Sequence, residues 1–578
     1  MDVQSKRVLK KGIDGTESRH KRQEATVQLR ASKREEQVQK RRRVQQEQEQ
    51  EQEQDQGQGQ GQVPPTEHVA TLGALGLLPI EAMAKQPEVY APRVIQLITS
   101  LDTSTTDLVH AVRMLRQFTA PADKKPRLTL LLSFNPNLLR RLCELLSQTF
   151  AIADAPVDVQ LNLVWALSNF ASGTSEQTQQ VLQAGVLPLM EHIIVRSPHL
   201  RLCDQAIWAI GNIAGDSCAM RDTVLASNLL APILNVCCAM VSRQTQPQTQ
   251  PQGTGTDDTT EALALLNTAS WALSNLVRGK PSVQLTREQT TSIVGTARLL
   301  LAHRDTEVLA NACWLMSYLS DTQDAERTQL IVETGLAQVL VPLLAHPSKD
   351  VKTAALRTVG NLTAAESESS TQAVIDARVL PMLRALLASQ FKSLRQEAAW
   401  TLSNIAAGPV HQIGALIGAE LVAPLVQMLQ IESFDAQKEV AWTLCNIVLS
   451  GTPDQVRHLL KHQLARALCP MLECPDIKLL TTILEAFEGM LAMGAQDAST
   501  LELGGGENAV EADIIEAGGL SLLERLSSHE NTGVYRAAEN ILKHYFADED
   551  EEEEDVDHHR DMFSYAPHVS GPIAPFHF

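Results

Sequence analysis

QEAAWTLSNIAAG (396–408) and KEVAWTLCNIV (438–448) are two versions of one phrase. Each sets a tryptophan in an apolar, helix-forming run and an asparagine four residues later: Trp400 with Asn404, and Trp442 with Asn446. The phrase occurs upstream as WALSNFASGTSEQT (165–178), WAIGNIAGDS (208–217) and WALSNLVRG (271–279). It occurs in altered form as WLMSYLSD (314–321) and LRTVGNLTA (356–364). All six tryptophans of the chain lie in this register, at spacings of 43, 63, 43, 86 and 42 residues. The 86 is two steps with Arg357 at the skipped position, and the 63 is one step plus a polar insert at 242–259. A period near 43 residues is that of a helical solenoid, in which each unit buries its apolar face against the next. Residues i and i+4 share a helix face. Each unit therefore presents an indole beside an amide, and stacking lines them up as ladders on one surface.

A second marker runs in step with the first. Leucine-rich stretches carry a proline 23 to 28 residues after a register position: Pro188, Pro232, Pro342, Pro381, Pro424 and Pro470. Proline is tolerated in a first helical turn, so each is predicted to open the middle helix of a repeat, with Gly185, Gly335 and Gly418 marking breaks. Adding a first unit near 101–120, a divergent one at Glu485–Gly489 and a last one near 530–546 gives about ten repeats, with irregular end units as caps. The insert 242–259 is expected as a loop on the outer rim, and the GGG-containing segment 497–511 as a loop within the late repeats.

The charge is placed unevenly. Residues 1–43 hold 14 Lys/Arg against 6 Asp/Glu, whereas 547–557 hold nine acids and no base, in a chain of net charge −19. The expected organisation is a basic arm at 1–44, a low-complexity Gln/Glu/Gly linker at 45–87, a helical body at 88–546 and an acidic, disordered tail at 547–578. An acidic body with its own basic arm argues for a basic peptide as ligand and against nucleic acid, with the arm able to compete for the same surface. The arm also lacks the interleaved aromatics of an RNA binder. Nine scattered cysteines without metal spacing read as reduced thiols in a helical core. No 18-residue apolar run or secretory signal is present, so neither membrane insertion nor secretion is expected. The expected compartments are cytosol and nucleus.

The side chains of the ladder suggest its chemistry. Trp165, Asn169, Trp208, Asn212, Trp271 and Asn275 form a block of three pairs; Trp400, Asn404, Trp442 and Asn446 form a block of two. Between them Tyr318 stands where asparagine would be, and Arg357 replaces tryptophan while Asn361 remains. An amide both donates and accepts, so asparagines at repeat spacing could pin an extended peptide whatever its sequence. Indoles attract cations and accept the methylene stems of Lys or Arg. Asp216, Glu397 and Glu439 are candidates for the charged heads. A single such pair is usually core packing. The recurrence of an asparagine, a poor helix former that is costly to bury unpaired, favours a binding surface with two stretches.

These residues resemble the armadillo repeats of the importin alpha family, and TVQLRASKREEQVQKRRRV (26–44) resembles that family's importin-beta-binding arm. The resemblance covers nearly the whole chain. It implies an all-α, right-handed armadillo solenoid, no cofactor, and a shuttling adaptor for cargo proteins with basic nuclear localisation signals. By the same resemblance the three-pair block, with Ser172, Gly173, Thr178 and Asp216, is the major signal site. The minor site comprises Tyr318, Arg357, Asn361, Glu397, Trp400, Asn404, Glu439, Trp442 and Asn446, with Arg357 able to pair with Glu397. Importin beta binds at about 19–44, Lys40, Arg41 and Arg42 mimic a cargo signal, and a nuclear export receptor contacts the last repeats, YRAAENILKHYF (535–546). Asn311 departs from the family pattern, which commonly has an acid there. About forty linker residues give an expected root-mean-square reach of roughly 35 Å for the arm. Two other readings stay open on residues alone: an armadillo scaffold for acidic ligands, and an enzyme. No phosphate loop, metal cluster or nucleophile elbow supports the enzyme.

Overall fold

Helix-forming residues and regular start signals build the elements. Thr174 with Gln177, Thr286 with Gln289, and Thr452 with Gln455 each form a reciprocal capping box, which satisfies two otherwise orphaned backbone donors at the helix start. The computed structural model describes residues 86–547, apart from 101–102, 121–123, 153–155, 246–254, 366 and 501–506. The arm, nearly all of the linker and almost the whole acidic tail lie outside the described residues. No strand occurs among the described residues.

The chain divides into two units, the first ending at Leu425 and the second beginning at Val426. In the first, a regular repeat is a short helix, a middle helix and a longer register helix, as in Ser175–Gln183, Val186–Arg196 and Leu200–Asp216. Its register helices are Thr105–Thr119, Val157–Phe170, Leu200–Asp216, Gly255–Leu276, Thr306–Ser320, Lys349–Ala364 and Lys392–Ala406. Each packs against the next in this order. The second unit has Phe434–Ser450, Ile477–Thr500 and Thr532–Tyr545, which also pack in order. These ten register helices, among the described residues, match the expected number of repeats. The core is leucine, alanine, valine and isoleucine. All nine cysteines are free thiols, seven of them buried; burial pushes Cys143 and Cys313 up to about 12.

The proline marker holds with two exceptions. Pro188, Pro232, Pro381 and Pro424 are each the third residue of a middle helix. Pro342 sits in the last turn of Leu336–Leu343, and Pro470 lies in a 3-10 turn, Cys469–Glu473. The repeat without the marker has no break: Arg287–Leu301 runs as one helix where its neighbours have two. Gly185 and Gly335 do take the left-handed conformation that ends the short helix, but Gly418 does not. It lies within Val410–Gly418, and Glu420, at φ 55°, makes the turn instead. The two expected loops are also shorter than predicted. Middle helix Leu230–Thr245 and register helix Gly255–Leu276 both extend into the insert, leaving only 246–254 outside the described residues. Likewise Ile477–Thr500 runs into the GGG segment from one side and Ala509–Glu516 from the other.

Register helices touch through a bed of small residues. A Cβ on Gly211 would stand 2.2 Å from a ring carbon of Trp271, and one on Gly360 would stand 2.1 Å from Trp400. Each of these glycines immediately precedes the ladder asparagine of the previous repeat. In the lapsed position, Arg357 Nε donates to Glu397 Oε2 at 2.7 Å and Nη2 to Oε1 at 2.5 Å, with both side chains buried. Burial opposes the guanidinium's charge, but the Glu397 carboxylate more than offsets it, so the Arg357 pKa stands above its usual value.

Two stability predictions follow from these contacts. Gly211→Ala and Gly360→Ala should each cost about 1–3 kcal/mol by overpacking and disturb the near-ultraviolet circular dichroism of tryptophan. Gly295→Ala, exposed mid-helix with nothing within 4 Å of a new Cβ, should instead add roughly 0.5–1 kcal/mol; thermal melts compare all three. Glu397→Leu alone should cost about 3–5 kcal/mol by leaving a buried guanidinium unpaired, and Arg357→Met in addition should recover most of that loss. Denaturant midpoints check it, and a double variant no more stable than the single one would count against the pair as the cause.

Candidate peptide-binding groove

The ladder begins from what each asparagine amide does. Asn212 Nδ2 donates to the Ser168 carbonyl at 3.2 Å, Asn275 to Gly211 at 2.9 Å, Asn361 to Ser317 at 2.9 Å and Asn404 to Gly360 at 3.2 Å. The acceptor in every case is the backbone carbonyl of the residue just before the ladder position of the preceding repeat. Asn169, which has no tryptophan repeat before it, donates to the Thr119 hydroxyl at 3.0 Å. One amide hydrogen is thus used to tie repeats together, where the sequence suggested that the whole amide faces a peptide. At Asn361 and Asn404 the same nitrogen also donates to the Ser320 and Thr363 hydroxyls, at 3.2 and 3.3 Å; the amide carbonyl oxygen can still accept from another partner, and Asn169 Oδ1 is buried with no hydrogen-bond partner.

The indoles differ in access. Trp165, Trp314 and Trp400 are buried, whereas Trp208, Trp271 and Trp442 are half-buried. Trp208 and Trp271 stack with centroids 5.1 Å apart and planes at 30°. An alkyl stem between two rings needs contacts of roughly 3.5–4 Å on each side, so the expected slot between this pair is closed. Trp314 stacks on Tyr318 at 5.6 Å, which fills the lapsed position with a second ring. Arg116 places its guanidinium 4.5 Å over the Trp165 ring. A cation on a ladder indole is therefore present within the chain itself.

Asp216 ends the register helix Leu200–Asp216, one turn after Asn212. The Ser175 hydroxyl, at the start of Ser175–Gln183, donates to Asp216 Oδ1 at 2.9 Å. Asp216 Oδ2 is buried and accepts no hydrogen bond. Thr178, on the same short helix, is buried and donates to the Ala171 and Thr174 carbonyls at 3.1 Å each. Ser172 donates to the Asn169 carbonyl at 2.9 Å, and Gly173 packs so tightly that a Cβ would meet Gln177 Oε1 at 2.0 Å. Ser172 and Gly173 thus form the turn before Ser175–Gln183, Thr178 anchors that helix to it, and Ser175 ties Asp216 to the start of the same helix.

In the second stretch, Asn361 and Asn404 are half-buried. The pairing anticipated for Arg357 and Glu397 is present, so the Glu397 carboxylate is already neutralised. Glu439, Trp442 and Asn446 lie half-buried on Phe434–Ser450 in the second unit. Lys40, Arg41 and Arg42 fall outside the described residues. Asn311 is buried, and its amide donates to the Asn267 carbonyl and the Ser270 hydroxyl at 3.3 Å each. Two features escaped the sequence reading. One is the small residue before each ladder position (Ser168, Gly211, Ser274, Ser317, Gly360, Ser403, Cys445), visible in the quoted phrases but overshadowed by tryptophan. The other is Arg116, which no periodicity marks.

Comparison with known proteins places the chain. The importin beta binding domain family matches residues 7–105, the armadillo/beta-catenin-like repeat matches 174–215, 324–364, 367–407 and 409–449, and an atypical Arm repeat matches 510–558. Importin subunit alpha-4 of Arabidopsis thaliana is 33% identical over 99% of this chain and 98% of its own length. Importin subunit alpha-3 of the same plant is 33% identical over 95% and 93%, and importin subunit alpha-1b of Oryza sativa subsp. japonica is 34% identical over 68% and 69%. A crystal structure of an engineered protein superposes with a TM-score of 0.62 over 78% of this chain and 98% of that one, at 22% identity, a likeness of fold alone. A protein that matches importin alpha subunits end to end, arm domain and repeats together, belongs to the importin alpha family: it is a nuclear import adaptor that links to importin beta, and not an enzyme.

Proposed function

We propose that the ladder face of the first unit holds the basic nuclear localisation signal of a cargo protein through Trp165, Asn169, Trp208, Asn212, Trp271 and Asn275. In this reading Asp216 takes the head of a central lysine, beside Gly173 and Thr178. The observation that carries it is the Asp216 carboxylate: one oxygen is fixed by Ser175 and the other is buried without a hydrogen bond. A buried acceptor without a partner is costly, and a charge-assisted bond from a lysine ammonium removes that cost. The asparagine oxygens, aligned by their ties to the preceding repeat, would accept from peptide N–H groups. Alkyl stems would lie over the Trp208–Trp271 stack or part it.

A second basic cluster would be taken by Asn361, Trp400 and Asn404. Tyr318 and Arg357 bound that stretch, and Trp442, Asn446 and Glu439 repeat its chemistry in the second unit. With Glu397 neutralised by Arg357, Glu439 is the acid proposed for a charged head. The arm is proposed to contact importin beta through residues about 19–44 and, through Lys40, Arg41 and Arg42, to occupy the Asp216 site when importin beta is absent. A nuclear export receptor is proposed to meet the last repeat, Thr532–Tyr545. The protein would shuttle between cytoplasm and nucleus.

Two measurements test this reading. In titrations of a fluorescent basic signal peptide, Asp216→Lys should weaken binding at least tenfold while the thermal melt stays unchanged; equal affinity in the folded variant would remove Asp216 from the site. Replacing Lys40, Arg41 and Arg42 together by alanine should raise the apparent affinity of the full-length protein for the same peptide severalfold at low salt. That gain should shrink near 0.5 M salt, where charges are screened within about 4–5 Å. Identical affinities with and without the cluster would leave the arm as a docking handle only.

A further inference from the structure

Of the sixteen histidines in the chain, only His458 and His462 stand four residues apart. They lie at the end of the short helix Pro453–Leu460, in the second unit. The backbone stays helical beyond Leu460. Lys461 has φ −59° and ψ −19°, and its N–H donates to the Arg457 carbonyl at 3.2 Å. The His462 N–H donates to the Leu459 carbonyl at 3.0 Å. Residues four apart on a helix share a face, so the two imidazoles emerge side by side. Their ring centroids are 5.2 Å apart, with planes at 61°.

That spacing is the one two imidazoles take on a shared metal ion. A metal–nitrogen bond is about 2.0–2.1 Å long. Two rings bound at right-angled or tetrahedral positions of one ion then hold their centres roughly 4.5–5.2 Å apart. Among the described residues, neither imidazole has a hydrogen-bond partner, and both are half-buried, so solvent reaches them. The neighbouring cation is already compensated: Arg457 pairs with Asp454 at 3.1 Å and with Asp497 at 2.9 Å. Lys461 is exposed, and its long stem lets the ammonium stay in water.

We propose that His458 and His462 form a two-ligand site for a divalent late transition-metal ion, with water in its remaining positions. Imidazole suits zinc, copper and nickel, whereas magnesium and calcium prefer oxygen ligands. Two histidines at this spacing on one helix face are a recurrent zinc-binding arrangement. The ion would pin the last turn of Pro453–Leu460 to the turn that follows. That turn ends at Gln463, left-handed at φ 55°, and leads into a middle helix of only five residues, Leu464–Leu468. A repeat with little helix of its own would thus gain a cross-link when metal is present. The site shares no residue with the peptide groove.

The test uses the full-length chain with His558, His559, His568 and His577 replaced by alanine, so that these histidines do not compete. Calorimetric titration with nickel chloride should show one ion per chain bound in the micromolar range. His458→Ala and His462→Ala should each weaken that binding at least tenfold, while His411→Ala, on another short helix, should leave it within twofold. On the unaltered protein, one equivalent of zinc chloride should slow acylation of both rings by diethylpyrocarbonate, read by mass spectrometry. No ion bound by the chain lacking the four histidines, an affinity kept within twofold in either single variant, or equal acylation with and without zinc would overturn the site.

Discussion

The structure of the first unit turns on a hydrogen bond that crosses from one repeat to the next. Asn212, Asn275, Asn361 and Asn404 each donate an amide hydrogen to a backbone carbonyl of the repeat before them. That carbonyl belongs to a register helix, whose own hydrogen-bond ladder leaves the second lone pair of each oxygen available. The bond fixes the vertical offset of two helices in a way that apolar contact alone does not, since hydrophobic attraction is non-directional. Once the offset is fixed, the next indole can land on the one small side chain that leaves room for it. Gly211 under Trp271 and Gly360 under Trp400 are the consequence. The ladder asparagines therefore set the pitch of the solenoid.

This role explains why the lapse in the middle is not a defect. At Arg357 the tryptophan is gone, but Asn361 still bonds to the Ser317 carbonyl, so the pitch is kept. The tryptophan position is taken by a guanidinium clamped to Glu397, and, one repeat earlier, the asparagine position is taken by Tyr318, stacked against Trp314. A buried ion pair is a weak source of stability relative to a well-packed apolar contact. Its presence here marks a stretch where the ladder passes from indole faces to a fixed and neutralised charge.

How much of this was readable in the sequence depends on the kind of signal. A 43-residue period with tryptophan as its tag gave the repeat and the register helices together, because the same residue type returns at the same packing position in most units. Proline gave the middle helices, and its absence at one repeat coincides with the continuous helix Arg287–Leu301. Helix ends were harder to read. The left-handed turn at Glu420 needs only one residue tolerant of positive φ, and no composition announces it. The insert reads as loop because it is polar, yet its flanks continue helices that were already nucleated, and propagation costs far less than nucleation. The closed Trp208–Trp271 slot and the cation of Arg116 over Trp165 are matters of a few ångströms between distant segments. Spacing along the chain carries no record of them.

The tryptophan ladder also has an optical meaning. Every indole of the protein belongs to it, so the intrinsic fluorescence of the molecule originates almost wholly at the groove and its lapse. Trp165, Trp314 and Trp400 are shielded from water and emit toward the blue, whereas Trp208, Trp271 and Trp442 meet solvent and emit toward the red. The Trp208 and Trp271 rings, 5.1 Å apart, are close enough for their excited states to couple. The protein thus carries a built-in chromophore pair in the middle of its first ladder block.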